Sequence, residues 1–415
     1  MQVGERPSFG GMERAFSAKI MMRLEKYYVE GEMRWVSRKP KQTTDKRRKR
    51  RKISRRSGSS VWGPWDLLPS DLLARIMLKL DIIDYFAFSG VCRSWRLVTT
   101  DLRRSYMEHQ KPLVVVRSQN IKKSCILYDM FDGKEYKAML PDMRGKSFVG
   151  LSSGYLITID TNMEFWLVNL MTRHELRFPV LPRNLSSVDS CDDSWNIHPT
   201  LFQSTRLSKV FMVLCFKTLN YLLLSESGAN GWQVYFLPNE SDRIADVKVF
   251  EGRIFVLTCD ALIGEFSPRA DPVFKLHKTK VPIVVSPFSF LQLVIENKRL
   301  CMIISRWYGY CQYLAFYELD HMKMEGVKQI DDLGTKSLFT SSLNSAVVDT
   351  TGWGAGNCVC VLQPKFYNKW TLYQLNGNEL ARTPVVWDAP RWKPYFWYFP
   401  DESCEISRVG DGFGM

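Results

Sequence analysis

A small all-α unit of three short helices followed by a large all-β domain, behind a disordered basic N-terminal arm, is the multidomain fold class that this 415-residue sequence predicts. Three observations predict it. Leu72, Ile76 and Leu80 recur at four-residue spacing, which puts them on one helix face. Beyond Pro112, short runs rich in Val, Ile, Phe, Tyr and Leu alternate with turn residues, and no helical period persists. Between Arg38 and Arg56, twelve Lys/Arg stand against a single Asp. The expected divisions are an N-terminal extension over 1–60, a helical unit over 61–110, a β domain over 111–404 and a tail over 405–415.

The extension comes first. Residues 12–35 carry a helical pattern with Glu13, Glu25, Glu30 and Glu32, which is too acidic for a transit peptide. No apolar run opens the chain, so no signal peptide is expected. The arm at 38–56 carries +11 of the formal +14, which leaves +3 for everything else. The body is thus near neutral, and whole-chain basicity is no argument for nucleic acid. Within the arm like charges repel and nothing can be buried, so it is expected to be disordered. Its two clusters, Arg38, Lys39 and Lys41, then Lys46, Arg47, Arg48, Lys49, Arg50, Arg51 and Lys52, resemble a bipartite nuclear localisation signal. That resemblance implies the nucleus, with the cytoplasm as a second compartment. A nucleic-acid-binding arm and a plain solvated linker are the rival readings. No aromatic lies between Pro40 and Ser60, so base stacking is disfavoured and any nucleic-acid contact would be phosphate-driven and salt-sensitive. Ser57, Gly58, Ser59 and Ser60 form a flexible joint.

In the helical unit, Leu68 and Pro69 open the first helix, where the missing proline N–H would be unpaired anyway. Leu73 and Met77 flank the Leu72–Ile76–Leu80 stripe, and Arg75 and Lys79 take the opposite face. Asp81 or Asp84 can cap a second helix with Phe88, Val91, Cys92 and Trp95 as its apolar face. After Arg96 a third is expected to continue through Asp101 to His109, ended by Lys111 and Pro112. About 40 residues are near the lower limit for an independent core, so some of this apolar surface should seek a partner. The plain alternative is a hairpin packed on the rest of the chain.

Leu68, Pro69, Asp71, Leu72, Ile76, Leu80, Asp84, Phe88, Val91, Cys92, Trp95 and Arg96 together closely resemble the F-box. Asp81 departs from it, standing where the family often has Pro. The resemblance implies a subunit that docks on the Skp adaptor, and through it the cullin, of SCF-type (Skp–cullin–F-box) ubiquitin ligases, while a second domain holds a protein substrate. It further implies that Leu68, Pro69, Leu72, Ile76 and Leu80 face the adaptor, with Trp95 partly at the interface. Val91, Cys92 and Trp95 would hold the F-box helices together, and Phe88, Val91 and Cys92 would form the F-box core. Each buried Leu or Ile contributes roughly 1.5–3 kcal/mol, so a few such anchors can supply most of a docking energy.

In the β domain, runs are expected at 113–117, 155–160, 165–169, 210–216, 221–225, 232–236, 247–250, 253–258, 291–296, 300–305, 313–319, 359–362 and 370–374. Turns fall at Asp132-Gly133, Glu251-Gly252, Glu296-Asn297 and Asn376-Gly377. Many short strands suit a sandwich or a propeller. At about 40–50 residues per blade, the length allows a propeller of six or seven blades with degenerate repeats. Gly150 to Leu156 followed by Phe165 to Leu170 resembles the first blade of the KIB-type propeller of plant F-box proteins, although Gly154-Tyr155 replaces its usual His-Trp. Asp246 to Thr258 resembles its central motif, and Phe316 to Asp320, Ile330 to Phe339 and Gly356 to Val359 resemble its later blades in the right order.

Several patterns touch on chemistry. Gly150 to Gly154 has the G-x-S-x-G form of a nucleophile elbow around Ser152, but a β run comes next where a helix is needed, so a blade turn is expected. The Gly-rich stretch from Gly352 to Gly356 likewise leads into an extended run and offers no helix N-terminus to a phosphate. Cys358 and Cys360 are expected to pack in a core. Cys191 and His198 lie near Asp189, Asp192 and Asp193 without a second cysteine pair, so no metal site is expected. Ten scattered cysteines without a CxxC pair indicate reduced thiols and an intracellular home. No 18-residue apolar run exists, so no membrane span is expected. The aromatics Trp387, Trp392, Tyr395, Phe396, Trp397 and Tyr398 are expected to close the β domain on its first blade, a recognition patch being the rival. No catalytic residue and no cofactor is expected. The readings to be distinguished are a substrate-recognition subunit, a nucleic-acid-binding protein acting through the arm, and an enzyme on a propeller.

Overall fold

The computed structural model describes residues 68–118, 124–140, 145–170, 173–182, 197–204, 209–216, 219–267, 273–279, 289–307, 311–320, 327–341, 343–354, 356–363, 369–375 and 392–400. The basic arm, the 12–35 pattern, the joint at 57–60, the turn at 376–377, Cys191 and Trp387 lie outside the described residues. The chain divides into two compact units between Arg103 and Arg104.

The first unit is helical. Helix α1 spans Ser70–Met77, α2 spans Ile82–Ser89, and α3 spans Arg93–Glu108 and so runs across the division. Pro69 stands one position before the first helical residue, and its carbonyl accepts the N–H groups of Leu72 and Leu73, both at 3.1 Å. Asp81 caps α2: its carboxylate accepts the Asp84 N–H at 2.9 Å. The expectation for α2 needs correction. The helix stops at Ser89, where Gly90 and Val91 turn their N–H groups back to Ala87 and Phe88. Val91 and Cys92 therefore lie in a turn, and Trp95 belongs to α3. Three-residue hydrogen bonds tighten a helix end in this way before the chain leaves it.

The second unit is a ring of six four-stranded sheets, a six-bladed β-propeller. Blade one joins β1 (Leu113–Ser118), β2 (Ser124–Asp129) and β3 (Lys134–Met139) to the C-terminal strand β24 (Trp392–Tyr398), which lies innermost against β1. Blade two is β4 (Lys146–Ser152), β5 (Tyr155–Asp160), β6 (Phe165–Asn169) and β7 (Glu175–Phe178). Blade three is β8 (Ile197–Ser204), β9 (Lys209–Phe216), β10 (Tyr221–Glu226) and β11 (Gln233–Phe236). Blade four is β12 (Ile244–Phe250), β13 (Arg253–Thr258), β14 (Leu262–Ser267) and β15 (Val273–Lys278). Blade five is β16 (Ser289–Glu296), β17 (Arg299–Trp307), β18 (Cys311–Leu319) and β19 (Val327–Gln329). Blade six holds β20 (Lys336–Thr340), β21 (Ser345–Asp349), β22 (Cys358–Gln363) and β23 (Lys369–Gln374).

The closing role expected of the C-terminal aromatics is borne out for 392–398. The motif at 150–170 falls on blade two, because β24 and the strands from Leu113 to Met139 build a blade ahead of it. Blade six departs from the others. Its strands lie in the order β21-β20-β22-β23, and β20 pairs with β22 in parallel. Strand β20 is buried from Ser337 to Thr340 and so takes an inner position flanked on both sides, while the half-buried Ala346 and Val347 of β21 face the ring interior.

Inner hairpins are closed by two-residue turns with left-handed backbone at both positions: Ser153-Gly154, Glu251-Gly252 and Asn297-Lys298. This geometry matches the twist of paired strands. Glu296, expected in a turn, instead ends β16. Burial is organised by the gaps between blades. Among the described residues, five apolar clusters each span two successive sheets: Phe165 and Leu214 share one across blades two and three, and Phe339 and Trp397 share another across blades six and one.

Candidate docking face and propeller channel

On α1 the apolar side chains divide between two faces. Leu73 and Met77 point inward and are fully buried, whereas Leu72 is 45% exposed. Pro69 is exposed, and Leu68 and Ile76 are half-buried. Helix periodicity makes this division: Leu72 and Ile76 share one line, while Leu73 and Met77 share the adjacent one. Leu78 and Leu97 are also exposed, at 56% and 55%, and the sequence motif did not single them out. Leu80 is placed differently from the expected adaptor face, and Trp95, which ties the helices together as expected, leaves no surface for an interface. Both are buried, and the Trp95 indole stacks on Phe88 with centroids 4.2 Å apart. The Tyr85 hydroxyl donates to the Thr99 carbonyl at 2.7 Å, a second tie from α2 to α3. Phe88 is buried in the core expected of it, while Val91 and Cys92 are half-buried.

In the propeller, the innermost strands of blades two to six enclose a cavity of about 780 Å³. Its wall carries Ser152, His198, Thr200, Asp246, Lys248 and Asn344 among apolar neighbours such as Leu293 and Val347. Most of these polar groups are already engaged, and a pattern emerges. Ser152 Oγ accepts the Leu201 N–H of the next blade at 3.0 Å. Thr200 Oγ1 donates to the Val247 carbonyl at 3.1 Å. Asp246 Oδ2 accepts the Leu293 N–H at 2.7 Å. Gln292 Nε2 donates to the Ser341 carbonyl at 2.9 Å. Asn344 Nδ2 donates to the Trp397 carbonyl at 2.6 Å, and Asn344 Oδ1 accepts the Trp397 N–H at 3.2 Å. One polar side chain per blade therefore reaches the main chain of the following blade at five successive seams. At four of the seams the main-chain group belongs to an inner strand that has no further strand beside it, and at the fifth it is the Ser341 carbonyl just past β20; a buried peptide group without a partner is costly.

Asp246 also lies 3.9 Å from His198 Nδ1, and its Oδ1 accepts the Val247 N–H at 2.8 Å. Asp246 thus accepts two main-chain N–H groups, one from its own strand and one from the next blade. Sequence reasoning missed the whole ring, since Ser, Thr, Asp, Gln and Asn share no residue type. The legible signal was one polar side chain in or beside the inner strands of blades two to six, at about a blade's spacing.

The serine of the G-x-S-x-G match ends β4, and the chain turns at once into β5, so no elbow forms. Cys360 packs in the cluster between blades six and one, and Cys358 is buried beside it. Burial pushes the thiols of Cys125 and Cys301 up to about 12 and that of Cys360 higher still. Among the described residues, no three His, Cys, Asp or Glu side chains gather to hold a metal. No described helix is long and apolar enough to cross a membrane.

Comparison with known proteins agrees with this architecture. The F-box domain family matches residues 65–105, and the KIB1-4 beta-propeller family matches residues 127–380, more than half of the chain. Among relatives in Arabidopsis thaliana named as F-box proteins, At2g33190 is 21% identical over 373 residues, covering 78% of this chain and 93% of its own length. At2g33200 is 25% identical over 123 residues, 29% of this chain and 31% of that protein. F-box only protein 7 is 24% identical over 165 residues, 39% of this chain and 38% of that protein. The chain thus spans about a third of two of these relatives and nearly all of At2g33190.

Proposed function

From the premise that this chain belongs to the plant F-box proteins with a KIB1-4 β-propeller, we propose that it is the substrate-recognition subunit of an SCF-type ubiquitin ligase. The observation that carries this reading is the outer line of α1, where Leu68, Pro69, Leu72 and Ile76 stay partly or largely in solvent on a unit too small to leave them idle. On this reading the line docks on a Skp adaptor, and the adaptor brings the cullin. The propeller holds a protein target. The subunit itself makes and breaks no covalent bond. It contributes proximity, turning a bimolecular encounter into an effectively intramolecular one. The basic clusters of the arm serve nuclear import in the same proposal.

Binding of the purified chain to a Skp adaptor tests it, beside a Leu68→Ala/Pro69→Ala/Ile76→Ala variant checked for folding by circular dichroism. Tight binding that the folded variant loses is the expected result. An intact chain that does not bind the adaptor would sink the proposal. Binding to nucleic acid that weakens steeply with salt would then point to the arm.

A further inference from the structure

We propose that the propeller cavity takes a short extended segment of the target protein, one that carries an Asp or Glu side chain between apolar residues, and that Lys248 pairs with that carboxylate. The inference rests on the reading of the propeller as the domain that holds the target, and adds what kind of segment it holds.

Among the described residues, the acidic and basic side chains of the cavity wall are Asp246, Lys248 and Glu251, with His198 beside Asp246. Asp246 is already engaged: Oδ1 accepts the Val247 N–H, Oδ2 accepts the Leu293 N–H, and the His198 ring lies 3.9 Å away. Glu251 sits in the exposed turn at the end of β12. Lys248 is half-buried in the wall, and its ammonium forms no hydrogen bond or ion pair with another described residue. The uncommitted charge inside the cavity is therefore a cation. It stands where the neighbouring blades are apolar. Two positions beyond Thr200 and Gln292 are Phe202 and Val294; two positions beyond Asp246 is Lys248. All three line the cavity, and Leu293, Ile295 and Val347 continue the apolar wall. An apolar occupant that covered the ammonium would strip its water and return nothing, and a basic one would add repulsion. A carboxylate offsets that cost, so the wall selects for an acidic residue by penalising the others.

The same wall favours a peptide over a free anion. Strands β4, β8, β12, β16 and β21, which line the cavity, each pair with a neighbour on one side alone. An open strand edge presents main-chain N–H and C=O groups, which an extended peptide can match with its own. The cavity of about 780 Å³ lies within the range of about 300–1,000 Å³ usual for ligand sites. That is room for a short segment and not for a folded domain.

Selection of a random peptide library, displayed on phage, against the full purified chain without an adaptor tests this. Enriched peptides are expected to carry an Asp or Glu flanked by apolar residues. For one enriched peptide, synthesised and followed by fluorescence anisotropy, Lys248→Met is expected to weaken binding about tenfold or more, and so is Asn or Gln in place of its acidic residue. The two changes together should cost little more than either alone, because both remove one contact. Lys248→Glu should turn the selection towards peptides bearing Lys or Arg. Circular dichroism checks the fold of each variant. Enrichment without an acidic residue, additive losses, or no enrichment at all would overturn the proposal. So would an acidic peptide that binds Lys248→Met as well as the unaltered chain, which is the result if the basic arm attracts it. Should no Lys248 variant fold, acetylation of the unaltered chain by acetic anhydride decides: the bound peptide should protect Lys248 and leave the exposed Lys298 reactive. No adaptor is present, and Leu72→Arg should leave peptide binding within about twofold, so failure here is distinct from failure of adaptor docking.

Discussion

The helical unit and the propeller treat apolar surface in opposite ways. In the helices, Leu72, Leu78 and Leu97 are about half exposed, and only a few side chains such as Met77, Phe88 and Trp95 are fully enclosed. In the propeller, whole strands are buried: Phe165–Asn169 has no residue outside the core. Small size explains part of the contrast, since three short helices cannot cover every apolar residue they carry. The propeller avoids the problem by facing every sheet with another, so its core is a set of seams. The consequence is that the same substitution means different things in the two regions. An exposed leucine on α1 is available for binding, whereas a side chain in a seam is committed to closure.

Gly264→Ala should give the largest effect and would break the comparison if harmless. A Cβ there would lie 1.9 Å from the Lys275 carbonyl oxygen across the β14–β15 ladder, where neither backbone can yield. A loss on the order of 5 kcal/mol or more is expected, seen as loss of soluble, cooperatively unfolding protein. Trp95→Ala removes the stack on Phe88 and should cost about 3–5 kcal/mol. Its expected signature is an early loss of helical circular dichroism with the β signal retained. If both signals move together, the two units do not unfold separately.

Leu72→Arg sharpens the contrast from the other side. On the proposed docking face it should weaken adaptor binding more than about a hundredfold while leaving the melting temperature within about 2 °C, as surface changes usually do. A large loss of stability would show that Leu72 is core instead. Glu296→Gln tests a seam held by charge. The Glu296 carboxylate is 3% exposed and lies between Arg299, at 2.9 Å from its Nε, and Lys336 of blade six, at 3.1 Å. Because Arg299 is itself 38% exposed, solvent screening reduces the penalty, and about 1–3 kcal/mol is expected in a urea midpoint. Last, Cys125, Cys301 and Cys360 should resist alkylation in the native state at about pH 8 and react on unfolding, since thiolates that form only near pH 12 or above are scarce there.

How much was legible differs between the two units for a physical reason. Strands 155–160, 165–169 and 253–258 were expected at their observed ends, because each is a continuous apolar run between turn residues. Strand β8 was missed, since His198 and Pro199 interrupt its pattern although its neighbours are buried. Strands β7 and β15, on blade edges, alternate with charged residues and were not among the expected runs. On α1 the four-residue spacing located the helix, but it could not say which apolar line would face outward.

By itself, then, the amino-acid order determined the helical unit, the β character of the chain beyond Pro112 and the aromatic closing strand, because each rests on local periodicity or composition. Only the tertiary structure decided three other things. It turned Leu80 inward, inverted the inner strands of blade six, and lined up Ser152, Thr200, Asp246, Gln292 and Asn344 as one ring. Those outcomes depend on which main-chain groups lie opposite a side chain across a seam. Residues 47 to 53 positions apart meet there, and no short window along the chain contains both partners.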